Sequence, residues 1–219
     1  MRCRSGLIGV RVCLAVAACL LLVAFIAPAQ SATATQLAVA SGDPMVATKA
    51  LVDGALGVLR DPHLSLTEKR EKLRALADAH LDFESMAHST LDYHWSQLTP
   101  EQRNDFTRLF KDFIENAYLG KIQDYSGQKV IFVREKLDGP GKSEVWSKWV
   151  GNADEPDRLI FMLHRDNGQW KIYDLSVDGV GITSNYRTQF DHVLDNHSFD
   201  SLMTDLRMKN QQLAARLGK

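Results

Sequence analysis

The spacing of apolar residues changes twice along this chain, and those two changes constrain the fold more than any other feature. From Thr99 onward Phe106, Leu109, Phe110, Phe113, Ile114, Ala117 and Tyr118 recur at the three-to-four-residue interval of an amphipathic helix. Past Gly127 the interval drops to two. Val130 to Val133 reads as a strand, and Val145, Ser147 and Trp149 alternate with Trp146, Lys148 and Val150. Leu159, Phe161 and Leu163 repeat the pattern, and Trp170 to Val177 makes a fourth strand. Asp138-Gly139-Pro140-Gly141 and Asn167-Gly168 mark tight turns between them. Beyond Gly179 and Gly181 the helical interval returns, over Ile182 to Asn196 and Phe199 to Leu217. Four strands joined by short turns form an antiparallel meander. Strands grouped apart from helices indicate an α+β fold, whose sheet must be covered on one face by helices.

The segment before Thr99 is helical as well. Asp43-Pro44 opens a helix with Val52, Ala55, Leu56 and Leu59 on one face, and Asp61-Pro62 ends it. Leu66 to Leu81 forms a second helix, with Leu73, Leu76, Ala77 and His80 along one side. Asp82 caps a short third one through Phe83, Met86 and Ala87. Thr99-Pro100-Glu101-Gln102 combines a capping box with proline at the first helical position. On that long helix Arg103, Asp105, Arg108, Lys111, Asp112 and Glu115 form the polar back, expected to be solvated.

The first thirty residues read as an export signal. Arg2, Arg4 and Arg11 precede or open an unbroken apolar run from Val12 to Ala27, and no acidic residue occurs before Asp43. Sixteen apolar residues fall short of the roughly 20 that span a bilayer. Ala27-Pro28-Ala29 has the small-x-small form of a cleavage site, with Ala32-Thr33-Ala34 as a second position. The expected organisation is a signal peptide over 1–29, a flexible segment over 30–42 and one α+β domain over 43–219. Cys3, Cys13 and Cys19 all lie in the leader, which leaves the exported chain no thiol for disulfide, zinc or nucleophile chemistry. Val16-Ala17-Ala18-Cys19 has the outline of a lipoprotein box, but cutting there would retain Leu20 to Val23. Loss of the three arginines takes Lys+Arg from 26 to 23 against 27 Asp+Glu. A chain at −4 without a basic stripe is not expected to bind nucleic acid.

Catalytic and metal motifs are sparse. Glu84 and His88 stand four apart with His94 beyond, but no H-E-x-x-H spacing accompanies them, so a Glu-His pair is expected rather than a metal site. Asp174 and Asp178 could act as paired carboxylates at a strand end, yet no third catalytic partner accompanies them. An enzyme on this fold would use Asp174 or His164 as general base; His164, beside the Arg165-Asp166 turn, is expected to be exposed. A purely structural envelope module would show a filled core. The aromatic stripes admit either that core or a deep apolar cavity between helices and sheet. No catalytic residue, metal or cofactor is assigned.

Several segments, in order, resemble the Mla-type periplasmic phospholipid-binding proteins, also called the toluene-tolerance auxiliary component of an ABC transporter. They are Asp82-Phe83-Glu84-Ser85-Met86-Ala87, His94-Trp95 and Leu98-Thr99-Pro100-Glu101-Gln102-Arg103 with Phe106 and Phe110. Tyr125-Ser126-Gly127-Gln128 and Asn167-Gly168-Gln169-Trp170-Lys171-Ile172-Tyr173-Asp174 follow. Val177-Asp178-Gly179-Val180, continuing to Asn185-Tyr186-Arg187-Thr188-Gln189-Phe190, is the most specific. The chain departs from the family at Gly181, where serine is usual, and at Leu91-Asp92, where Leu-Gly is usual.

The resemblance implies a soluble periplasmic carrier of phospholipid, or of a hopanoid in a related branch. Its implied partners are an inner-membrane ABC transporter complex, with that complex's substrate-binding membrane subunit, and an outer-membrane lipoprotein complex. The chemistry is adequate: roughly 30 methylenes at about 0.8 kcal/mol each give a gross transfer term on the order of 20 kcal/mol. Phase and resemblance together nominate Met86, Phe110, Phe113, Tyr118, Val130, Phe132, Val145, Trp149, Phe161, Leu163, Val177, Val180, Tyr186 and Phe190 as the lipid-binding lining. Arg187 is nominated for the headgroup rim.

Overall fold

The computed structural model describes residues 42–120, 124–151 and 157–217. The expected signal peptide and almost all of the segment that follows it lie outside the described residues.

Helix α1, Pro44–Arg60, begins where the Asp43 carboxylate accepts the N–H groups of Met45 and Val46. It ends at Asp61, held extended before Pro62. Helix α2, Leu66–His80, carries a capping box between Ser65 and Glu68 and has no fully buried residue. Helix α3, Phe83–Leu91, starts at Asp82, whose carboxylate accepts the Ser85 N–H. A 3-10 stretch over Asp92–Gln97, absent from the sequence reading, leads to the long helix α4, Pro100–Leu119. Asp92 adopts φ 47 and ψ −120, a conformation suited to glycine, and it stands where the resembled family usually has glycine. At α4 both halves of the Thr99–Gln102 capping box form.

The sheet comprises β1 (Lys129–Leu137), β2 (Lys142–Val150), β3 (Asp157–Asp166), β4 (Gln169–Val177) and β5 (Val180–Gly181). The strands pair antiparallel in chain order, so the expected meander is present with one short strand added. Asn167-Gly168 and Asp178-Gly179 both take positive φ at two successive residues, as a tight two-residue hairpin turn requires. β1 is longer than the Val130–Val133 reading, and a bulge between Phe132 and Arg134 changes its phase. Ile131 and Val133 take the outward phase opposite Val130 and Phe132 and lie exposed, as does Leu137 at the far end of the strand. Helix α5, Ile182–Leu194, and helix α6, Phe199–Leu217, complete the chain. None of the described helices is long and apolar enough to cross a membrane.

The side chains form two cores. One joins α3, α4, α5 and α6 around Leu91, Phe106, Phe110, Phe190 and Leu206. The other joins α1 to the inner face of β2, β3 and β4, through Val52, Leu56, Val145, Phe161, Leu163 and Ile172. Leu81, between α2 and α3, packs against both. The next residue ties this junction to the sheet, because the Asp82 N–H donates to the Ile172 carbonyl at 2.9 Å.

Candidate functional site

Where the two cores meet they leave a cavity of about 280 Å³. Strand alternation supplies one wall, turning Phe161 of β3 and Ile172 of β4 inward. Helical spacing supplies the others. Phe83 and Met86 come from α3, Ile114 and Tyr118 from α4, and Leu73 and Ala77 from α2, each pair three or four residues apart. Leu51, Leu81, Leu119, Leu175 and Ile182 close the gaps. The lining is almost wholly apolar, as burial of hydrocarbon requires.

Three ionisable side chains and one phenol reach this wall, each in a different state. Asp174 is buried, and its carboxylate accepts the Leu175 N–H at 2.8 Å, the Thr183 N–H at 3.1 Å and the Thr183 hydroxyl at 2.7 Å. It braces β4 against the first turn of α5. Glu115 was expected on a solvated face, yet its side chain is only 8% exposed because α2 packs across it. Burial pushes its carboxyl above the ordinary value, opposed by Lys111 and Arg74. Arg74 lies with Nε 3.3 Å from Glu115 Oε2. Tyr118 is partly exposed; withdrawal from water, helped by Tyr186 and Asp174, pushes its phenol up to about 12 and keeps it neutral.

Of the nominated lining residues, Met86, Tyr118 and Phe161 face the cavity. Phe110, Phe113, Tyr186 and Phe190 instead pack on one another within the helical core, with Phe113 and Tyr186 5.2 Å apart and Tyr186 and Phe190 5.9 Å apart. Val145 and Leu163 are fully buried in the sheet core, with Val130, Phe132 and Trp149 packed against its margin. Val177 and Val180 lie exposed at the β4–β5 turn. Arg187 is not on the cavity wall: its Nε donates to the Ser89 carbonyl at 2.8 Å and its Nη1 lies 3.7 Å from Asp92. It fastens α5 to the end of α3. Period identifies a side chain as inward, but not whether a neighbour fills the space in front of it.

Sequence reasoning missed the wall contributed by α2 entirely. Its signal was the Leu73–Ala77 stripe on an otherwise charged helix. His164, expected exposed, is one-quarter exposed, and its ring nitrogen is hydrogen-bonded to Asp82 at 2.7 Å. His88 stands edge-on to Trp95, and His94 lies 3.7 Å from Asp191. Among the described residues no group of three or more His, Cys, Asp or Glu is placed to hold a metal.

Comparison with known proteins gives a consistent set. A family model described as MlaC protein matches residues 49–208. The intermembrane phospholipid transport system binding protein MlaC of Haemophilus influenzae is 23% identical over 186 residues, covering 81% of this chain and 87% of that protein. The toluene tolerance protein ttg2D of Pseudomonas putida is 25% identical over a shorter stretch of 121 residues, 55% of this chain and 56% of that one. Among solved structures, a phospholipid-binding protein from Ralstonia solanacearum, in complex with a phospholipid, matches with a TM-score of 0.69 and 26% identity. That match covers 79% of this chain and 99% of the other.

Proposed function

The chain belongs to the MlaC family, and from that premise we propose that it is a periplasmic phospholipid carrier. It takes acyl chains into the cavity between its two cores and passes the lipid between membrane complexes of an ABC transport system. The observation that carries this reading is the cavity itself, a hollow of about 280 Å³ lined by apolar side chains where a well-packed domain would have none. Its relatives' phospholipid names and the phospholipid held by the Ralstonia protein supply the cargo.

The carrier needs no reacting group. Asp174, which an enzyme would use as its base, accepts three hydrogen bonds from Leu175 and Thr183 and serves to join β4 to α5. Hydrocarbon held in a dry cavity leaves slowly into water, so delivery calls for a receiving protein at each membrane. An inner-membrane transporter complex and an outer-membrane lipoprotein complex fill those roles. Residues 1–29 act as the cleaved export signal.

Lipid extraction and native mass spectrometry of the purified protein test the proposal. One phospholipid per chain is expected. Ala77→Phe, which places a ring in the cavity from the partly exposed helix α2, should abolish that cargo while leaving the thermal midpoint close to wild type. A wild-type protein that purifies bare and takes no lipid from vesicles overturns the carrier reading.

A further inference from the structure

A seam between α2 and α4 runs along one side of the cavity. Leu73, Arg74 and Ala77 line the cavity from the α2 bank, and Ile114, Glu115 and Tyr118 from the α4 bank. What joins the two banks is mostly polar. Arg74 Nε lies 3.3 Å from Glu115 Oε2, Arg74 Nη2 donates to Asn116 Oδ1 at 3.0 Å, and the Lys111 ammonium pairs with Asp78. Nearer the start of α2, the Arg70 guanidinium donates to the Leu217 carbonyl at the end of α6. Among the described residues, Ala77 is the one apolar side chain of α2 packed against the helical core. Arg74, Asp78 and Lys111 are each partly exposed, so the polar row that borders the cavity also meets water.

On its other side α2 is fixed to α1 and the sheet. Lys69, near its start, donates to the Leu59 carbonyl of α1 at 2.7 Å, and Lys171 of β4 donates to the Ala79 carbonyl near its end at 2.6 Å. Between them Leu76 lies so close to α1 that a methyl group on Gly54 would fall 3.1 Å from its Cδ2. The remaining walls are harder to part. Lifting α3 from the sheet breaks the bonds of Asp82 to Ile172 and His164, and lifting α5 breaks the two from Thr183 to Asp174. Separating α4 from α5 undoes the ring contacts of Phe106 and Phe110 with Phe190. Buried rings and buried hydrogen bonds resist separation, whereas partly exposed ion pairs exchange for water at little cost.

On the carrier reading above, we propose that the α2–α4 seam is the door through which lipid tails enter and leave, and that the Arg74–Glu115, Arg74–Asn116 and Asp78–Lys111 contacts are its latch. The tails pass as α4 moves off α2, while α2 stays with α1 and the sheet. A polar latch shuts an apolar hollow from water without gluing it closed.

Crosslinking tests the door. Produced without residues 1–29, the chain carries no cysteine, so thiols can be placed in chosen pairs. Asp78→Cys with Lys111→Cys, joined by a short bis-maleimide, ties the two banks together. Ser89→Cys with Arg187→Cys, joined in the same way, ties α3 to α5 where Arg187 already holds the Ser89 carbonyl. Transfer of a fluorescent phospholipid from loaded protein to acceptor vesicles is then timed for each crosslinked species, its crosslink confirmed by mass. The Asp78–Lys111 crosslink should slow transfer by about tenfold or more, as a lid held shut does. The same variant left open should transfer at least as fast as wild type, and the Ser89–Arg187 crosslink should leave the rate unchanged. Arg74→Gln with Asp78→Asn, which strips the latch of its charges on α2, should speed transfer about twofold to fivefold. Transfer at the wild-type rate from the Asp78–Lys111 crosslinked protein, equal slowing by both crosslinks, or a latch variant no faster than wild type overturns the door and leaves the carrier standing. Wild-type protein that takes up no probe overturns the carrier itself.

Discussion

The Asp82 side chain closes the N-terminus of α3 and grips the sheet at once. Its carboxylate accepts the Ser85 N–H at 2.9 Å, the Ser85 hydroxyl at 2.8 Å and the His164 ring at 2.7 Å. Burial pushes this carboxyl up, but the Ser85 N–H, the Ser85 hydroxyl and His164 together outweigh it and hold the group below its ordinary value of 3.8. A carboxyl depressed in the fold stabilises above the unfolded value and loses that contribution as pH falls through the folded one. Asp82→Ala should therefore cost about 1–2 kcal/mol near neutral pH, seen as a lower urea midpoint at unchanged slope. The gap from wild type should narrow as the pH drops below 3.8. Asp92 makes a second prediction. Its φ of 47 strains any side chain, and its contact with Arg187 is a long, half-exposed ion pair. Asp92→Gly should raise stability by about 1 kcal/mol in the same urea titration. An unchanged or lower midpoint would refute it. The cap at Asp82 was legible because its partners lie within three residues; His164 is 82 positions away and was read as exposed. Glu115 was read as solvated for a related reason, since nothing on its own helix announces that α2 crosses over it.

Helix α4 and helix α2 differ in what holds them. α4 buries Phe106, Phe110, Phe113 and Ile114, whereas α2 buries no residue completely and contributes Leu73 and Ala77 to the cavity wall. An element with little buried apolar surface opens locally before the rest of the domain does. Native-state hydrogen exchange should show α2 amides exchanging faster than those in the middle of α4, and lipid loading should protect α2 most. Equal exchange in both helices, or protection confined to α4, would count against this ranking. The helix starts and the meander order could be read directly, because capping boxes and Asn-Gly turns are local signals. The length of β1 could not. Past its bulge the inward phase passes to Glu135, and a two-residue period carries no trace of where a register slips. The two-residue strand β5 is shorter than any periodicity can register.

For the molecule as a whole, volume is the governing quantity. Ligand pockets commonly measure roughly 300–1,000 Å³, and this one sits at the small end at about 280 Å³. Two acyl chains, with roughly 30 methylenes between them, need more room than that. On the carrier reading, loading is expected to spread the helices from the sheet. The lipid-bound protein should show a larger collision cross-section in ion-mobility mass spectrometry, beyond the increment of the lipid mass. Identical values for loaded and stripped protein would mean that the tails lie elsewhere. That a hollow exists at all was not decidable from apolar stripes, which look the same whether the opposing faces touch or stop short. The two separate cores bear on what happens after delivery. Each grips its own helices or strands without help from a guest, so an emptied protein keeps its ballast on both sides of the gap. The vessel can return unladen without capsizing, and repeated voyages need no refolding between them.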